Sequence, residues 1–96
     1  MTDDALLITT FVESGSQEVF AHLVARHVHL VYSACLRQLK NPVLADQASG
    51  AVFVLLARDA KKLKGTLSLV PWLFDTARRV CRGAAKLVKA EEGAAA

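Results

Sequence analysis

Apolar side chains recur three and four positions apart along nearly all of the 96 residues, and no segment alternates apolar and polar residues as a half-buried β-strand does. Only two prolines and five glycines interrupt these helical patterns, while 53% of the residues are hydrophobic. The longest pattern is a stripe of Phe20, Leu23, Val24, His27, Val31, Ala34, Cys35 and Leu39. The sequence therefore predicts an all-α fold, a small bundle of three to four helices.

The first two helices are placed by the residues that begin and end them. The first covers about residues 4–13 and stops at Gly15, since glycine adopts the left-handed conformation that often ends a helix. Ser16 is a suitable N-cap for a second, long helix over about residues 17–40. Phe20, Val24 and Val31 in this helix are predicted to reach a core shared with Val52, Leu56, Trp72, Leu73 and Val80.

A break at Asn41 and Pro42 separates the second helix from the third. Asparagine is a favourable N-cap, and proline is tolerated at the first helical position. Two residues are a short connection, so the second and third helices are predicted to be antiparallel. The third helix should run to about residue 59, residues 60–67 should form a loop, and Ser68 should cap the fourth helix.

Length and composition indicate a single domain, with residues 16–90 as its helical core and residues 91–96 as a frayed tail. The longest apolar run, residues 51–57, is far shorter than the roughly 20 residues that cross a bilayer. The N-terminal Met-Thr-Asp-Asp is acidic where a secretory signal is basic. We therefore expect a cytoplasmic protein that has no membrane partner.

The residues that most often carry chemistry are sparse and poorly placed for it. Cys35 and Cys81 form no CxxC motif and are expected to be buried, reduced thiols. His22, His27 and His29 do not share one helix face, so no metal site is predicted. With no catalytic triad and no glycine-rich phosphate loop, we expect neither an enzyme nor a cofactor.

Charge is distributed unevenly along the chain. The overall net charge is +3, yet residues 58–89 carry nine basic and only two acidic side chains, a local net charge of +7. Part of this charge forms a band on one face of the fourth predicted helix, made by Arg78, Arg79, Arg82, Lys86 and Lys89. Such a band is often only a solvated surface. Because the preceding loop adds three lysines, the combination indicates a polyanion partner.

Residues 16 to about 83 resemble region 2 of bacterial RNA polymerase sigma factors of the extracytoplasmic-function (ECF) type. The resemblance lies in the order of a long helix, a break, the run ADQASGAVFVLLARDAKKL, a basic loop and the run PWLFDTARRV. Its anchors are Leu30-Val31-Tyr32, Val52-Phe53, Trp72-Leu73 and Ala77-Arg78. None of these anchors is specific by itself, whereas their order and spacing together are.

The resemblance implies a role in transcription initiation and a set of contact residues. In that family the third helix binds the clamp helices of the polymerase β′ subunit, and the loop and fourth helix melt and read the promoter −10 element. By position, the residues facing polymerase would be Arg37, Lys40, Asp46, Gln47 and Gly50. Those facing single-stranded DNA would be Lys61, Lys62, Leu63, Lys64, Gly65, Thr66 and Leu67, and those holding phosphates Arg78, Arg79 and Arg82. Trp72 would be a core anchor. Region 4, which reads the −35 element, is not expected within these residues.

Some positions depart from the family pattern. An acidic residue and a glutamine usual on the clamp-facing helix are replaced by Gln47 and Gly50, and Asp75 stands where a basic residue is frequent. These departures favour a second hypothesis, a sigma-like module that binds an anti-sigma factor or another regulator without recognising a promoter. The high apolar content leaves a third, a plain helical oligomerisation domain.

Overall fold

Four α-helices make up the fold. The computed structural model describes residues 3–95, and over these residues the chain contains no strand. The helices are α1 (Asp4–Ser14), α2 (Gln17–Leu39), α3 (Pro42–Leu63) and α4 (Val70–Ala95). The predicted all-α class is confirmed.

The predicted caps of the first three helices are confirmed. Gly15 ends α1 with a left-handed φ of 66°, and the Ser16 hydroxyl accepts the Val19 amide at 3.3 Å. The Asn41 carboxamide oxygen accepts the amides of Val43 and Leu44 at 2.9 and 3.1 Å. Since only Lys40 and Asn41 separate α2 from α3, and the two helices pack on one another, they run in opposite directions.

The connection between α3 and α4 is shorter than predicted and starts later. Residues 60–63 belong to α3, so the prediction that Lys61, Lys62 and Leu63 lie in a loop was wrong. Buried Ala60 holds this last turn against the core, and lysines there interact favourably with the negative end of the helix dipole. The true loop is residues 64–69.

The start and end of α4 also differ from the sequence prediction. Leu69, rather than Ser68, occupies the N-cap position, because its carbonyl accepts the Leu73 amide at 2.8 Å. The Ser68 hydroxyl accepts the Val70 amide at 3.3 Å. The frayed tail was wrong for residues 91–95, which continue α4; residue 96 lies outside the described residues. Alanine and glutamate are strong helix formers, and extending an existing helix costs little.

One hydrophobic core joins the four helices, with α2 packed against each of the other three. Within the predicted core set, the fully buried members are Val31, Val52, Leu56 and Leu73. The half-buried members that pack against them are Phe20, Val24, Trp72 and Val80. The common core is therefore confirmed, with Trp72 at its edge.

Helix α2 is long and apolar enough to cross a membrane by length and composition, with a mean hydropathy of 1.3 over its best window. The sequence prediction, which used only uninterrupted apolar runs, did not find it. The exposed face of α2 carries Glu18, Arg26 and Arg37, and its other face packs in the bundle. We interpret α2 as the central helix of the core, since such helices meet the same criterion.

Cys35 of α2 and Cys81 of α4 are both buried and free, as predicted. Burial, and then the hydrogen bond and charge interaction with Cys35, raise the pKa of the Cys81 thiol. A protonated, buried thiol is a poor nucleophile, so this pair packs as small apolar side chains.

Candidate nucleic-acid interface

The predicted cationic surface lies at the end of α3, along the loop and on the outer face of α4. Exposed members of this surface are Lys61, Lys62, Lys64, Gly65, Leu67, Arg78, Arg79 and Arg82, whereas Thr66 and Leu63 are half-buried. Lys61 and Lys62 belong to a rigid helical turn, while Leu63 packs against the core. Leu67 is 86% exposed at the tip of the loop. The loop therefore presents an exposed apolar side chain three residues after Lys64.

Within α3 and within α4, one ion pair lies on this surface. Arg58 binds Asp59 through two hydrogen bonds of 2.9 and 3.2 Å, and Arg79 binds Asp75 at 3.2 Å. The hydrogen bond from Arg58 is the main reason that the pKa of Asp59 lies below its usual value, and the charge of Arg79 lowers this pKa further. Arg79 of α4 and the Arg58–Asp59 pair of α3 border one cavity between the two helices.

A cavity of about 120 Å³ lies between α3 and α4 beside these pairs. It is lined by Leu55, Arg58, Asp59, Trp72, Thr76, Arg79 and Val80. Within residues 3–95, the Thr76 hydroxyl is the buried side-chain polar atom that has no hydrogen-bond partner. Trp72 thus packs against the core and also lines a cavity with arginines at its rim. The sequence analysis identified the tryptophan and the arginines. It could not predict the cavity, because a cavity depends on the distance and angle between α3 and α4.

A buried carboxylate at the start of α1 contacts the C-terminal end of the 64–69 loop. Asp4 is 4% exposed, and its Oδ2 accepts the backbone amide of Leu69 at 2.8 Å. Its Oδ1 accepts His27 Nε2 at 2.7 Å and lies 3.0 Å from Arg26 Nε. Because an ionised carboxylate only accepts hydrogen bonds, the proton of the His27 ring lies on Nε2 in this contact.

The sequence analysis missed this cluster, although one signal was present. His27 lies in the apolar stripe of α2, and a buried polar side chain requires a partner. Burial raises the pKa of Asp4, but the Leu69 amide, the His27 hydrogen bond and the charges of His27 and Arg26 outweigh it. The net effect is a pKa below the ordinary 3.8, so Asp4 is ionised at neutral pH.

The residues predicted to face polymerase lie at the other end of α3. Arg37 and Lys40 end α2, and Asp46, Gln47 and Gly50 occupy the first turns of α3; all five are exposed. The structure brings them together around the α2–α3 turn, away from the cationic loop.

Two exposed valines that sequence reasoning overlooked share this surface. Val43 and Val54 are 65% and 69% exposed, and their spacing places them on the same face of α3 as Gln47 and Gly50. A partner that docks on this face would contact two exposed valines as well as charged side chains.

No family model matches the chain, and no solved structure matches it. Over 70 residues it is 30% identical to the RNA polymerase sigma factor CarQ of Myxococcus xanthus. The chain contains a sigma-factor-like region. The matched residues are 73% of this chain but 40% of that relative, so this chain spans well under half of its length.

Proposed function

We propose that this chain is a region 2 domain of an ECF-type sigma factor, which binds core RNA polymerase and recognises the promoter −10 element as a single strand. The observation that carries the proposal is the cationic loop and arginine face of α4, beside an aromatic-lined cavity, in a sigma-factor-like region. The domain would act in the cytoplasm as a binding module and would catalyse no reaction.

The two parts of the cationic surface suit two parts of a single strand. Arg78 and Arg82 lie one turn apart on a rigid helix and would hold phosphates, which supplies affinity without reading sequence. The loop around Gly65 and Leu67 is exposed and carries Lys64, so it would approach unstacked bases. We expect weak binding by the domain alone, with affinity that falls steeply as salt rises.

Removing two phosphate-binding charges tests this arrangement. Replacing Arg78 and Arg82 by glutamine should weaken binding to all single-stranded oligonucleotides alike and lower the slope of log affinity against log salt by about 1.4, since each phosphate contact contributes about 0.7. Fluorescence anisotropy titrations at several salt concentrations measure both quantities. The matched control replaces Arg37 and Lys40, which removes the same charge at the other end of the bundle. Equal slopes for the two variants would contradict the proposed DNA surface.

The polymerase surface is tested by restoring the two family residues, Gln47→Asp and Gly50→Gln. Both positions are exposed, and a Cβ at Gly50 meets nothing within 4 Å, so the change fits the fold. We expect tighter binding to core polymerase in competition with an intact sigma factor. Gly50→Ala is the control, because any residue other than glycine or proline stabilises the helix by about 1 kcal/mol or less. The clamp assignment would be wrong if the double variant bound no better than Gly50→Ala.

The second candidate is a module that binds a regulatory protein such as an anti-sigma factor. The exposed Val43 and Val54 favour it, because apolar side chains flank the two altered positions. This candidate gains support if the wild-type protein binds neither core polymerase nor single-stranded oligonucleotides. In that case Val43→Ser and Val54→Ser should weaken binding to the regulator.

A further inference from the structure

Both ends of the 64–69 loop are attached to the same short helix. At the end of the loop, the Leu69 amide donates to Asp4, the first residue of α1. At the beginning of the loop, Lys64 Nζ lies 3.2 Å from Oε1 of Glu13, in the last turn of α1. The loop therefore lies along α1, and only its middle is free of these contacts.

The two segments are similar in length. From Asp4 to Glu13 the axis of α1 rises about 14 Å at about 1.5 Å per residue. From Lys64 to Leu69 the chain reaches about 17 Å when fully extended. A loop fixed at Leu69 and paired through the Lys64 side chain samples fewer conformations than a loop without these contacts, so α1 restricts its shape.

The contact at Leu69 also bears on α4. Leu69 occupies the N-cap position, and its own amide is one that a capping-box carboxylate satisfies when it comes from the same helix. Here the carboxylate comes from α1, 65 residues away in sequence. Asp4 is itself held by His27 and Arg26, so it cannot turn away without breaking three contacts.

The two anchors differ in strength. Asp4 is buried, and removing its carboxylate leaves the buried Leu69 amide and His27 ring without their acceptor. Lys64 and Glu13 are both exposed, and exposed pairs contribute little and are screened by salt. A phosphate can therefore displace Glu13 from Lys64, whereas the Leu69 end stays fixed.

We propose that α1 is a strut that sets the conformation of the 64–69 loop for single-strand binding, with Asp4 as its positioning residue. The inference rests on the proposed DNA-binding function for its consequence, but not for its structural part. It assigns a role to acidic residues that lie outside the cationic surface.

The test compares Asp4→Ala with Leu56→Ala, a core substitution in α3 that also lowers global stability but leaves the strut intact. Both are measured in the full 96-residue chain, at a temperature where both are folded. Amide hydrogen exchange by NMR reports the loop, and anisotropy with a fluorescent single-stranded oligonucleotide reports affinity. In Asp4→Ala we expect the Leu69 amide to exchange about 10- to 100-fold faster than in wild-type protein, and affinity to fall several-fold. Leu56→Ala should speed exchange of the core α2 amides but leave Leu69 exchange and oligonucleotide affinity near their wild-type values.

Two other outcomes separate the role of α1 from the proposed DNA-binding function. Leu69 exchange that is equally affected in both variants would overturn the strut. If wild-type protein bound no oligonucleotide, the proposed function would fail, while Leu69 exchange in the two variants would still decide the role of α1.

If Asp4→Ala does not fold, the exposed anchor takes its place. Glu13→Gln should speed exchange of the Thr66 amide and tighten low-salt binding more than Glu18→Gln, which makes the same charge change on α2. Equal effects of these two changes would overturn the two-point attachment.

Discussion

Asp4→Ala is expected to lower the free energy of unfolding at neutral pH by about 2–5 kcal/mol, because two buried donors, the Leu69 amide and the His27 ring, lose their acceptor at a cost of about 1–3 kcal/mol each. The variant leaves the Leu69 amide, His27 and Arg26 without the carboxylate that now accepts from them. Because Asp4 is buried, water cannot replace it without opening the contact between α1 and the loop. Urea denaturation followed by circular dichroism measures the difference.

The same substitution should change how stability depends on pH. The pKa of Asp4 in the folded protein lies below its ordinary value of 3.8, so the folded state binds the proton more weakly than the unfolded state. The contribution of Asp4 is therefore fully present above the unfolded pKa and is lost as pH falls through the lower folded pKa. Arg26, whose Nε lies 3.0 Å from the Asp4 carboxylate, keeps its positive charge in acid. Wild-type protein should thus lose more stability on acidification than Asp4→Ala does.

Asp75→Ala is the matched control for Asp4→Ala. Asp75 also pairs with an arginine, but both side chains of that pair are more than half exposed. Exposed pairs contribute at most about 1 kcal/mol, so this variant should remain near wild type. A loss at Asp4 no greater than the loss at Asp75 would show that the α1 cluster does not stabilise the fold.

Leu56→Ala is expected to cost about 2–5 kcal/mol, from lost transfer of apolar atoms out of water and from the cavity left behind. Leu56 has no exposed surface and lies in the core cluster that joins the helices. Neighbouring helices cannot close fully on the space, because they are held by other buried side chains. Equilibrium unfolding in urea, with unchanged helical signal before the transition, measures the loss.

Leu87→Ala makes the same chemical change on the surface of α4. Leu87 is 68% exposed, so its truncation should shift the free energy of unfolding by less than about 0.5 kcal/mol. Trp72→Ala should fall between the two, because Trp72 is half-buried and borders a cavity. A Leu56 variant as stable as the Leu87 variant would mean that the shared core has been placed incorrectly.

Local patterns were sufficient for most of the secondary structure. Gly15, Ser16 and Asn41 act on the backbone within three or four residues of themselves, so their roles as helix boundaries were readable from neighbouring residues. The errors occurred where local preference was ambiguous. Lys61 and Lys62 suit a helix or a loop equally, and the burial of Ala60 decided for the helix.

The sequence predicted those parts of the proposed site that depend on one helix, but not those that depend on how two helices pack. Helix periodicity fixes which residues share a face. It therefore predicted that Arg78 and Arg82 lie together on α4 and that Gln47 and Gly50 are exposed on α3. The unpartnered Thr76 hydroxyl does not follow from it, because it depends on the distance and angle between α3 and α4.

Sequence by itself determined that the chain is helical, where three of the helices begin, and which side of each carries charge, since these properties depend on neighbours one or two turns away. Only the tertiary structure decided that Asp4 meets the amide of Leu69, because that contact joins residues 65 positions apart. From sequence alone, an acidic residue at the start of a helix is expected to be exposed to solvent, because the sequence does not show that other helices cover it. Packing of α1 on α2 beside the start of α4 excludes water there, and this turns an ordinary acid into a buried anchor of the loop.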